Sequence, residues 1–324
     1  MKPHEDPLLI AIVGPTASGK SALGVWLAQQ ANGEVIACDS TQLYRGLDVG
    51  TAKPTMAERQ GVPHHLIDVL LPEEEATAGA YRERALAVLD DLKGRQRLPI
   101  FTVGTGLYLR VLLEGIADVP LRSEAIRQEL RESARERGPE YLHETLKQLD
   151  PAAAEKIAAA DVQKVIRAIE ICRLAGKPVS QVHQEGKTPL QGWRVVKIGL
   201  APERAKLYER IHSRTEGMFE AGWIEEVKAL LAKGIPVTAK PFDFIGYREL
   251  SAVAQGTMIL EEARELIQQA TRQYAKRQIT WFRREAGVEW LVGFGDEAEI
   301  QRQALELVKR GAKARLPLGN RLDV

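Results

Sequence analysis

The sequence lacks the features that mark secreted, zinc-binding and membrane-spanning proteins. Only two of its 324 residues are cysteine, Cys38 and Cys172, which excludes a disulfide framework and a cysteine-rich zinc cluster. No apolar run is long enough to cross a bilayer, and the polar, acid-containing residues 1–7 do not resemble a signal peptide. The formal net charge is only +1, so any nucleic-acid surface must be a local patch. We therefore expect a soluble protein of the cytoplasm, long enough for two domains.

A stretch near the start of the chain matches a phosphate-binding signature. An apolar run at 8–13 leads into Gly14, and Gly19, Lys20 and Ser21 follow at the spacing G-x-x-x-x-G-K-S before a helical pattern begins. This order of strand, loop and helix is typical of a P-loop, whose backbone N–H groups and helix dipole converge on a di- or triphosphate. The motif alone does not identify the nucleotide or other diphosphate that binds. The predicted phosphate-binding residues are Gly14, Pro15, Thr16, Ala17, Ser18, Gly19, Lys20 and Ser21.

Short buried-strand patterns alternate with helical patterns after this loop. Such alternation predicts an α/β fold, a P-loop NTPase-like parallel sheet flanked by helices. Asp39 directly follows the second strand, which places it beside the P-loop at the carboxyl edge of the sheet. From this position alone, Asp39 could act as a base, bind Mg²⁺ indirectly or cap a helix. The predicted strands are 8–13, 34–38, 64–69, 98–103, 193–200 and 288–292.

The pattern changes near residue 118. Helix signals without strand signals fill 123–177, with helix starts at Ser123, Asp150 and Asp161 and a helix end at Gly176. We interpret this region as a small all-helical inserted domain. The predicted organisation is a P-loop catalytic domain at 1–118 and 193–312, a helical insert at 119–192, and a basic tail at 313–324 that frays from Lys309 onward.

A basic and aromatic segment lies in the last predicted long helix. Residues 271–284 hold five basic side chains and no acidic one, with Tyr274, Trp281 and Phe282 between them. Such a mixture suits phosphate contacts and base stacking. A solvated helix that places its aromatic side chains in the core explains the same pattern, and the charge pattern does not decide between the two.

Taken in order, several motifs resemble the tRNA dimethylallyltransferases, also called tRNA isopentenyltransferases, in their bacterial form. The resemblance implies transfer of a dimethylallyl group from dimethylallyl diphosphate to N6 of the adenine 3′ of the anticodon, which yields N6-isopentenyladenine and diphosphate. Its implied partners are the donor and the tRNA anticodon stem-loop, with no membrane, and it implies a monomer that uses Mg²⁺. The matching stretches are the P-loop, 39–44, 48–54, 104–108, 167–170, 245–249 and 274–283.

The resemblance assigns catalytic roles residue by residue. Asp39 matches the general base that takes the proton of the adenine amine, and Thr105 serves the same site. Lys20, Arg214 and Mg²⁺ would stabilise the charge that grows on the leaving diphosphate, with Ser21 as a metal ligand.

The resemblance also assigns a tRNA-binding set and implies that the helical insert at 119–192 contacts tRNA. Gln42 would face an adenine that is flipped out of the anticodon loop, because a stacked base cannot reach a buried donor. The complete predicted set is Asp39, Ser40, Thr41, Gln42, Thr105, Arg127, Gln163, Lys164, Val165, Ile166, Arg167, Phe242, Gly246, Tyr247, Arg248, Lys276 and Arg277.

The chain departs from the family pattern at a few positions. Val103 stands where a glycine is usual, which could narrow the following turn or shift Thr105, and the added zinc finger of eukaryotic relatives is not found. One rival hypothesis is a P-loop kinase for a small metabolite or nucleoside, with Asp39 activating a hydroxyl. A second rival is an ATP-dependent RNA-binding protein without covalent chemistry.

Overall fold

The computed structural model describes residues 6–117, 119–120, 122–185 and 187–313. These residues form two compact units. The first unit consists of the described residues up to Arg110 and from Gln191 onward, and the second spans Val111–Leu190. Apart from Lys313, the predicted basic tail lies outside the described residues.

The first unit contains a parallel sheet and the helices that cover it. A short 3₁₀ helix, Lys240–Asp243, precedes the α-helix that begins at Tyr247. Its strands and helices are β1 (Leu8–Val13), α1 (Lys20–Gln30), β2 (Gly33–Cys38), α2 (Met56–Arg59), β3 (His64–His65), α3 (Ala78–Gly94), β4 (Leu98–Val103), the start of α4 (Gly106–Glu114), β5 (Arg194–Leu200), α10 (Arg204–Glu220), α11 (Trp223–Ala232), α12 (Tyr247–Ala254), α13 (Leu260–Phe282), β6 (Val288–Leu291) and α14 (Ala298–Lys313).

Six parallel strands form the sheet in the order β3-β2-β4-β1-β5-β6. All six residues of β2 and five of the six in β1 are buried, as expected for central strands that are covered on both faces. Because every strand runs the same way, the segments that follow β1, β2 and β4 emerge at one edge. The structure therefore confirms the predicted α/β fold, and it brings the P-loop, Asp39 and Gly104 to a common edge.

Two predictions about the first unit are wrong at their boundaries. The strand predicted at 64–69 is limited to His64–His65, because Leu66 and Asp68 adopt positive φ angles of 60° and 57°, outside the β region. The fraying predicted from Lys309 is also wrong, because α14 continues to Lys313. The buried side chains of α14 recur at helical spacing and pack on the sheet core: Ile300, Ala304, Leu307 and Val308.

The described part of the second unit contains helices and no strand. Beyond the end of α4 these are α5 (Glu124–Arg137), α6 (Pro139–Leu149), α7 (Pro151–Lys156), α8 (Val162–Ala175) and α9 (Val179–Val182).

The predicted helix starts of this unit are confirmed by their caps. The side chains of Ser123, Asp150 and Asp161 accept hydrogen bonds from the first turns of α5, α7 and α8, and Gly176 ends α8 in a left-handed conformation. The unit has its own apolar core, to which α5, α6, α7, α8 and α9 all contribute. No described helix of either unit has the length and hydropathy needed to span a membrane.

Candidate active site

The P-loop is held in place by a neighbouring strand and by the loop that follows β6. A Cβ atom on Gly14 would lie 2.8 Å from the carbonyl oxygen of Leu200, and one on Gly19 would lie 2.7 Å from the nitrogen of Gly295. Both glycines also have positive φ angles, so other residues would be strained there. Gly295 N–H donates to the Ser18 carbonyl over 2.9 Å. The P-loop is therefore held in place by Gly295, a residue far away in the sequence.

Lys20 lies over the P-loop. Its Nζ donates to the carbonyl oxygens of Gly14, at 3.0 Å, and Pro15, at 2.7 Å. Desolvation lowers the pKa of Lys20 to about 7, and the negative charge of Asp39 opposes that shift. The ammonium group is thus close to its titration point at neutral pH and responds to any anion placed beside it.

Asp39 follows β2 with one carboxylate oxygen fixed and the other available. Its Oδ1 accepts from the backbone N–H of Thr41 at 2.9 Å and from the Thr41 hydroxyl at 2.8 Å. Its Oδ2 points towards Gly104, where an added Cβ would lie only 1.8 Å away. Among the described residues, none donates a hydrogen bond to Oδ2. This oxygen can therefore accept a proton from a ligand.

The turn after β4 is bonded to the end of β2. The N–H groups of Gly104 and Thr105 both donate to the carbonyl of Cys38, over 3.0 and 2.9 Å. Thr105 Oγ1 accepts from the N–H of Ser40 at 3.0 Å and donates to its hydroxyl at 3.2 Å. Thr105 thereby fixes the residue next to Asp39.

The valine that departs from the family pattern occupies an ordinary strand position. Val103 is fully buried and lies opposite Cys38 in the β2–β4 ladder. The glycines that the structure requires are the next two: Gly104 leaves room for Asp39, and a Cβ on Gly106 would lie 2.1 Å from the indole nitrogen of Trp281.

One cavity of about 1010 Å³ collects most of the predicted phosphate-binding residues. Six of the eight P-loop residues line it, together with Asp39, Gln42 and Arg214, whereas Gly14 and Pro15 only form the start of the loop. Arg214 Nη2 donates to the Thr16 hydroxyl over 3.1 Å, and Arg210 forms a bidentate ion pair with Asp296 at 2.8 and 2.6 Å. The cavity thus brings together most of the P-loop, the Arg214 guanidinium and the Asp39 carboxylate.

The predicted tRNA-binding residues divide by exposure. The four residues 39–42 and Thr105 are partly exposed at the carboxyl edge of the sheet. In the second unit Gln163 and Lys164 are exposed, whereas Val165 and Ile166 are buried in its core. In the first unit Arg248, Lys276 and Arg277 are exposed.

Phe242, Gly246 and Tyr247 are buried in the first unit. The Tyr247 hydroxyl donates to Glu226 over 2.6 Å, and a Cβ on Gly246 would lie 1.9 Å from the Trp223 ring. Like Val165 and Ile166, these residues are packed inside the protein. The tRNA-binding role of these five positions stays a prediction, and their burial limits it to contacts through the backbone. Direct side-chain contact remains a prediction for the exposed members.

Two arginines in the second unit share one buried carboxylate. Glu170 is fully buried, and its Oε1 accepts from the N–H of Ser123 at 2.6 Å. Its Oε2 accepts from Arg167 at 2.6 Å and lies 3.6 Å from Nε of Arg127. Arg167 also donates to the carbonyl of Pro120 at 3.0 Å. The predicted contacts Arg127 and Arg167 are therefore oriented by a residue to which sequence analysis gave no role.

Comparison with known proteins gives a consistent result. A family model described as IPP transferase matches residues 42–285. A tRNA dimethylallyltransferase of Koribacter versatilis (strain Ellin345) is 51% identical over 94% of this chain and 99% of its own length. A second, of Solibacter usitatus (strain Ellin6076), is 46% identical over 93% and 98%.

Solved structures show the same similarity. A tRNA isopentenylpyrophosphate transferase from Bacillus halodurans matches with a TM-score of 0.69 and 38% identity over 94% of this chain and 98% of its own. A eukaryotic dimethylallyltransferase acting on tRNA matches with a TM-score of 0.80 and 26% identity, over 97% and 82%. Since the family model covers most of the chain and the bacterial relatives align over nearly their whole length, the chain belongs to the IPP transferase family.

Proposed function

We propose that this protein transfers a dimethylallyl group from dimethylallyl diphosphate to N6 of the adenine 3′ of the anticodon in tRNA. The observation that carries the proposal is that the P-loop and Asp39 line one cavity, and that no described residue donates a hydrogen bond to Oδ2 of Asp39. The family membership of the chain agrees with this activity. A transferred prenyl group needs an anion cradle for its leaving group and a base for its acceptor, and the cavity offers both.

The P-loop side of the cavity suits the leaving diphosphate. As the bond between C1 and oxygen breaks, negative charge accumulates on the diphosphate, and preorganised N–H groups and cations stabilise that charge most strongly. Lys20 exchanges its two carbonyl acceptors for phosphate oxygens in this proposal, and Arg214 approaches from α10. Both side chains thereby act where charge develops.

In this proposal, phosphate oxygens of the substrate supply most of the ligands that hold magnesium at the P-loop, and protein side chains supply few. The described residues contain no group of three His, Cys, Asp or Glu side chains that could hold a metal ion by themselves. Mg²⁺ commonly keeps several waters and binds through phosphate oxygens with one or two protein ligands. Ser21, which lines the cavity beside Lys20, is the proposed protein ligand. When bound, the ion would neutralise charge on the leaving diphosphate.

The carboxylate side of the cavity suits the acceptor. The lone pair of the adenine amine is delocalised into the ring, so N6 becomes nucleophilic as its proton is removed. In the proposed step N6 forms a bond to C1 of the donor, the bond between C1 and the diphosphate oxygen breaks, and one N6 proton moves to Oδ2 of Asp39. Thr41 holds Oδ1, which orients the carboxylate. General-base catalysis of this kind contributes roughly 10²- to 10⁴-fold.

The partner is tRNA with its target adenine extruded from the anticodon loop. Extrusion is expected because a base within the stack cannot reach a donor inside the cavity. The exposed members of the predicted set are proposed to contact the anticodon stem-loop: Gln163, Lys164, Arg248, Lys276 and Arg277. Because this partner is tRNA, we also propose that the protein acts in the cytoplasm. We propose a monomer, as the family resemblance implies.

A transfer assay tests the proposal. The protein is mixed with Mg²⁺, radiolabelled dimethylallyl diphosphate and unmodified tRNA, and label in the tRNA is counted. We expect the wild-type protein to label tRNA, and Asp39→Asn to abolish labelling while still binding pyrophosphate. Asp90→Asn, an exposed substitution on α3, is the matched control and should label normally. ATP turnover without label in tRNA would instead support a P-loop kinase.

A further inference from the structure

Gln278 on α13 is a buried polar residue that the proposed chemistry does not use. Its exposed fraction is 5%, and its side chain makes two hydrogen bonds to backbone groups. Oε1 accepts from the N–H of Thr16 at 2.7 Å, and Nε2 donates to the carbonyl of Gly104 at 2.8 Å. Since an N–H can only donate and a carbonyl can only accept, these two partners fix the orientation of the amide.

The two partners of Gln278 belong to opposite sides of the cavity. Thr16 lies in the P-loop, the proposed cradle for the diphosphate. Gly104 lies in the turn after β4. Because glycine has no side chain, this residue leaves room for Oδ2 of Asp39. The same carbonyl of Gly104 also accepts from the hydroxyl of Tyr274, one turn earlier on α13, at 3.1 Å. The side-chain amide of Gln278 therefore connects the P-loop with the turn that lies beside Asp39.

A purely space-filling role does not explain this arrangement. Burying an amide costs free energy unless its polar atoms are paired, and an apolar side chain of the same size would fill the volume without that cost. Here both ends of the amide are paired, each with a loop rather than with its own helix. A buried polar group that is paired at both ends makes its surroundings rigid. The arrangement thus fixes one loop with respect to the other.

We propose that Gln278 is a positioning residue that sets the separation between the diphosphate cradle and Asp39. The inference rests on the proposed function, because it concerns the distance between the leaving group and the base. Gln278 does not touch the reacting atoms in this proposal; it acts through Thr16 and Gly104. A misplacement of about 1 Å between reacting groups can lower a rate about 100-fold.

The test compares Gln278→Glu, Gln278→Met and the control Gln269→Glu. The first variant keeps an acceptor for Thr16 but loses the donor to Gly104, and the second loses both bonds at similar volume. Gln269 is exposed on the same helix. We expect kcat for tRNA prenylation to fall roughly 10- to 100-fold in both Gln278 variants, while the Kd for pyrophosphate and the KM for tRNA stay within about threefold. The control should match the wild type.

A pH profile separates positioning from a general loss of stability. At lower pH the carboxyl group introduced in Gln278→Glu becomes protonated and can again donate to the Gly104 carbonyl. The ratio of variant to wild-type kcat should therefore rise as the pH falls from about 8 to about 6, whereas in Gln278→Met it should stay flat. Melting curves of all three variants show which are folded, and Gln278→Met provides the kinetic test if Gln278→Glu does not fold.

Distinct outcomes separate this inference from the proposed function. A wild-type protein that leaves tRNA unlabelled would contradict the function itself. A labelling wild type with an unchanged kcat in a folded Gln278 variant would overturn the positioning role alone. A loss found entirely in the Kd for pyrophosphate would also overturn it, since Gln278 would then serve only the P-loop.

Discussion

Gly104 illustrates how a single missing side chain determines the position of the proposed base. Its Cα faces Oδ2 of Asp39 so closely that no Cβ fits between them, and its carbonyl is held by Gln278 and Tyr274. Val103, one residue earlier, tolerates a large side chain because it points into the core. The glycine requirement therefore begins at Gly104 and not at the residue before it.

The first residue-scale prediction concerns Gly104→Ala. The new Cβ must displace the carboxylate of Asp39 or the turn itself, so kcat for prenyl transfer should fall by about 100-fold or more. Pyrophosphate binding, measured by calorimetry, should change little because the P-loop is not altered. Gly79→Ala on α3, where an added Cβ meets nothing within 4 Å, is the control. Full activity in Gly104→Ala would show that Asp39 does not need its observed position.

The second residue-scale prediction concerns the charge of Lys20. Desolvation lowers its pKa to about 7, so in the free protein it is largely uncharged above that pH. A bound anion favours the ammonium form and raises the pKa, so binding above pH 7 must take up a proton. The affinity for pyrophosphate should therefore fall as the pH rises above about 7. Calorimetry in two buffers of different ionisation enthalpy measures the proton uptake.

The Lys20→Met variant provides the control for this effect. It should bind pyrophosphate more weakly and without the proton uptake. Equal uptake in the variant and the wild type would assign the titration to another group.

At the scale of elements, β2 and α3 are joined at the end of the sheet opposite the cavity. Glu34, at the start of β2, is almost fully buried and accepts from Arg95 at 2.5 and 3.0 Å and pairs with His65 at 2.7 Å. Hydrogen bonds from Arg95, followed by the contribution of His65, lower the pKa of Glu34 to about 2 against the opposing effect of desolvation. Through these contacts, Glu34 connects β2 with β3 and with the end of α3.

The element-scale prediction follows from that pKa. A carboxylate whose pKa is depressed in the folded state stabilises the protein above its unfolded pKa, and this stabilisation is lost as the pH falls from about 4.5 towards about 2. Glu34→Gln should lower the free energy of unfolding at pH 7 by roughly 1 to 3 kcal/mol. Urea melts at several pH values measure the difference, which should shrink towards pH 2. A constant difference would contradict the ionic origin.

The parts of the fold that sequence predicts are those with local signals. The P-loop, the strand before Asp39 and the capped helices of the second unit depend on neighbouring residues, and the structure confirms them. The strand predicted at 64–69 is too long because the sequence does not reveal the left-handed backbone conformations of Leu66 and Asp68. The sequence does not reveal that α14 continues to Lys313, because Gly311 and the basic residues near it are also typical of a frayed tail.

The candidate site was only partly predictable for the same reason. Asp39 and the P-loop could be placed from strand ends, but the hydrogen bond of Gln278 with Thr16 joins residues separated by 262 positions. Glu170 sits in the predicted 167–170 motif, yet only packing reveals that it holds the two arginines. Gln278 lies within the 274–283 motif, but the basic residues of that motif point to phosphate contacts and give no sign of a buried amide.

At the scale of the whole molecule, the net charge of +1 makes tRNA binding depend on exposed local cations. We predict that the logarithm of tRNA affinity falls linearly with the logarithm of salt concentration, by about 0.7 to 0.9 per phosphate contacted. Arg277→Ala should weaken binding and reduce that slope by about one contact, whereas Lys233→Ala, exposed at the end of α11, should not. Filter binding over a salt series measures both slopes. A flat response would exclude a phosphate-binding surface.

The hydrogen bond from Gly295 to the Ser18 carbonyl links an early motif to a late segment of the chain. During translation the P-loop leaves the ribosome long before the residues that brace it, and β5, which pairs with the P-loop strand, also follows the second unit. A nascent chain therefore carries an unsupported cradle. If the proposed function holds, we expect diphosphate binding to require the complete first unit, because β5 and Gly295 both lie late in the chain.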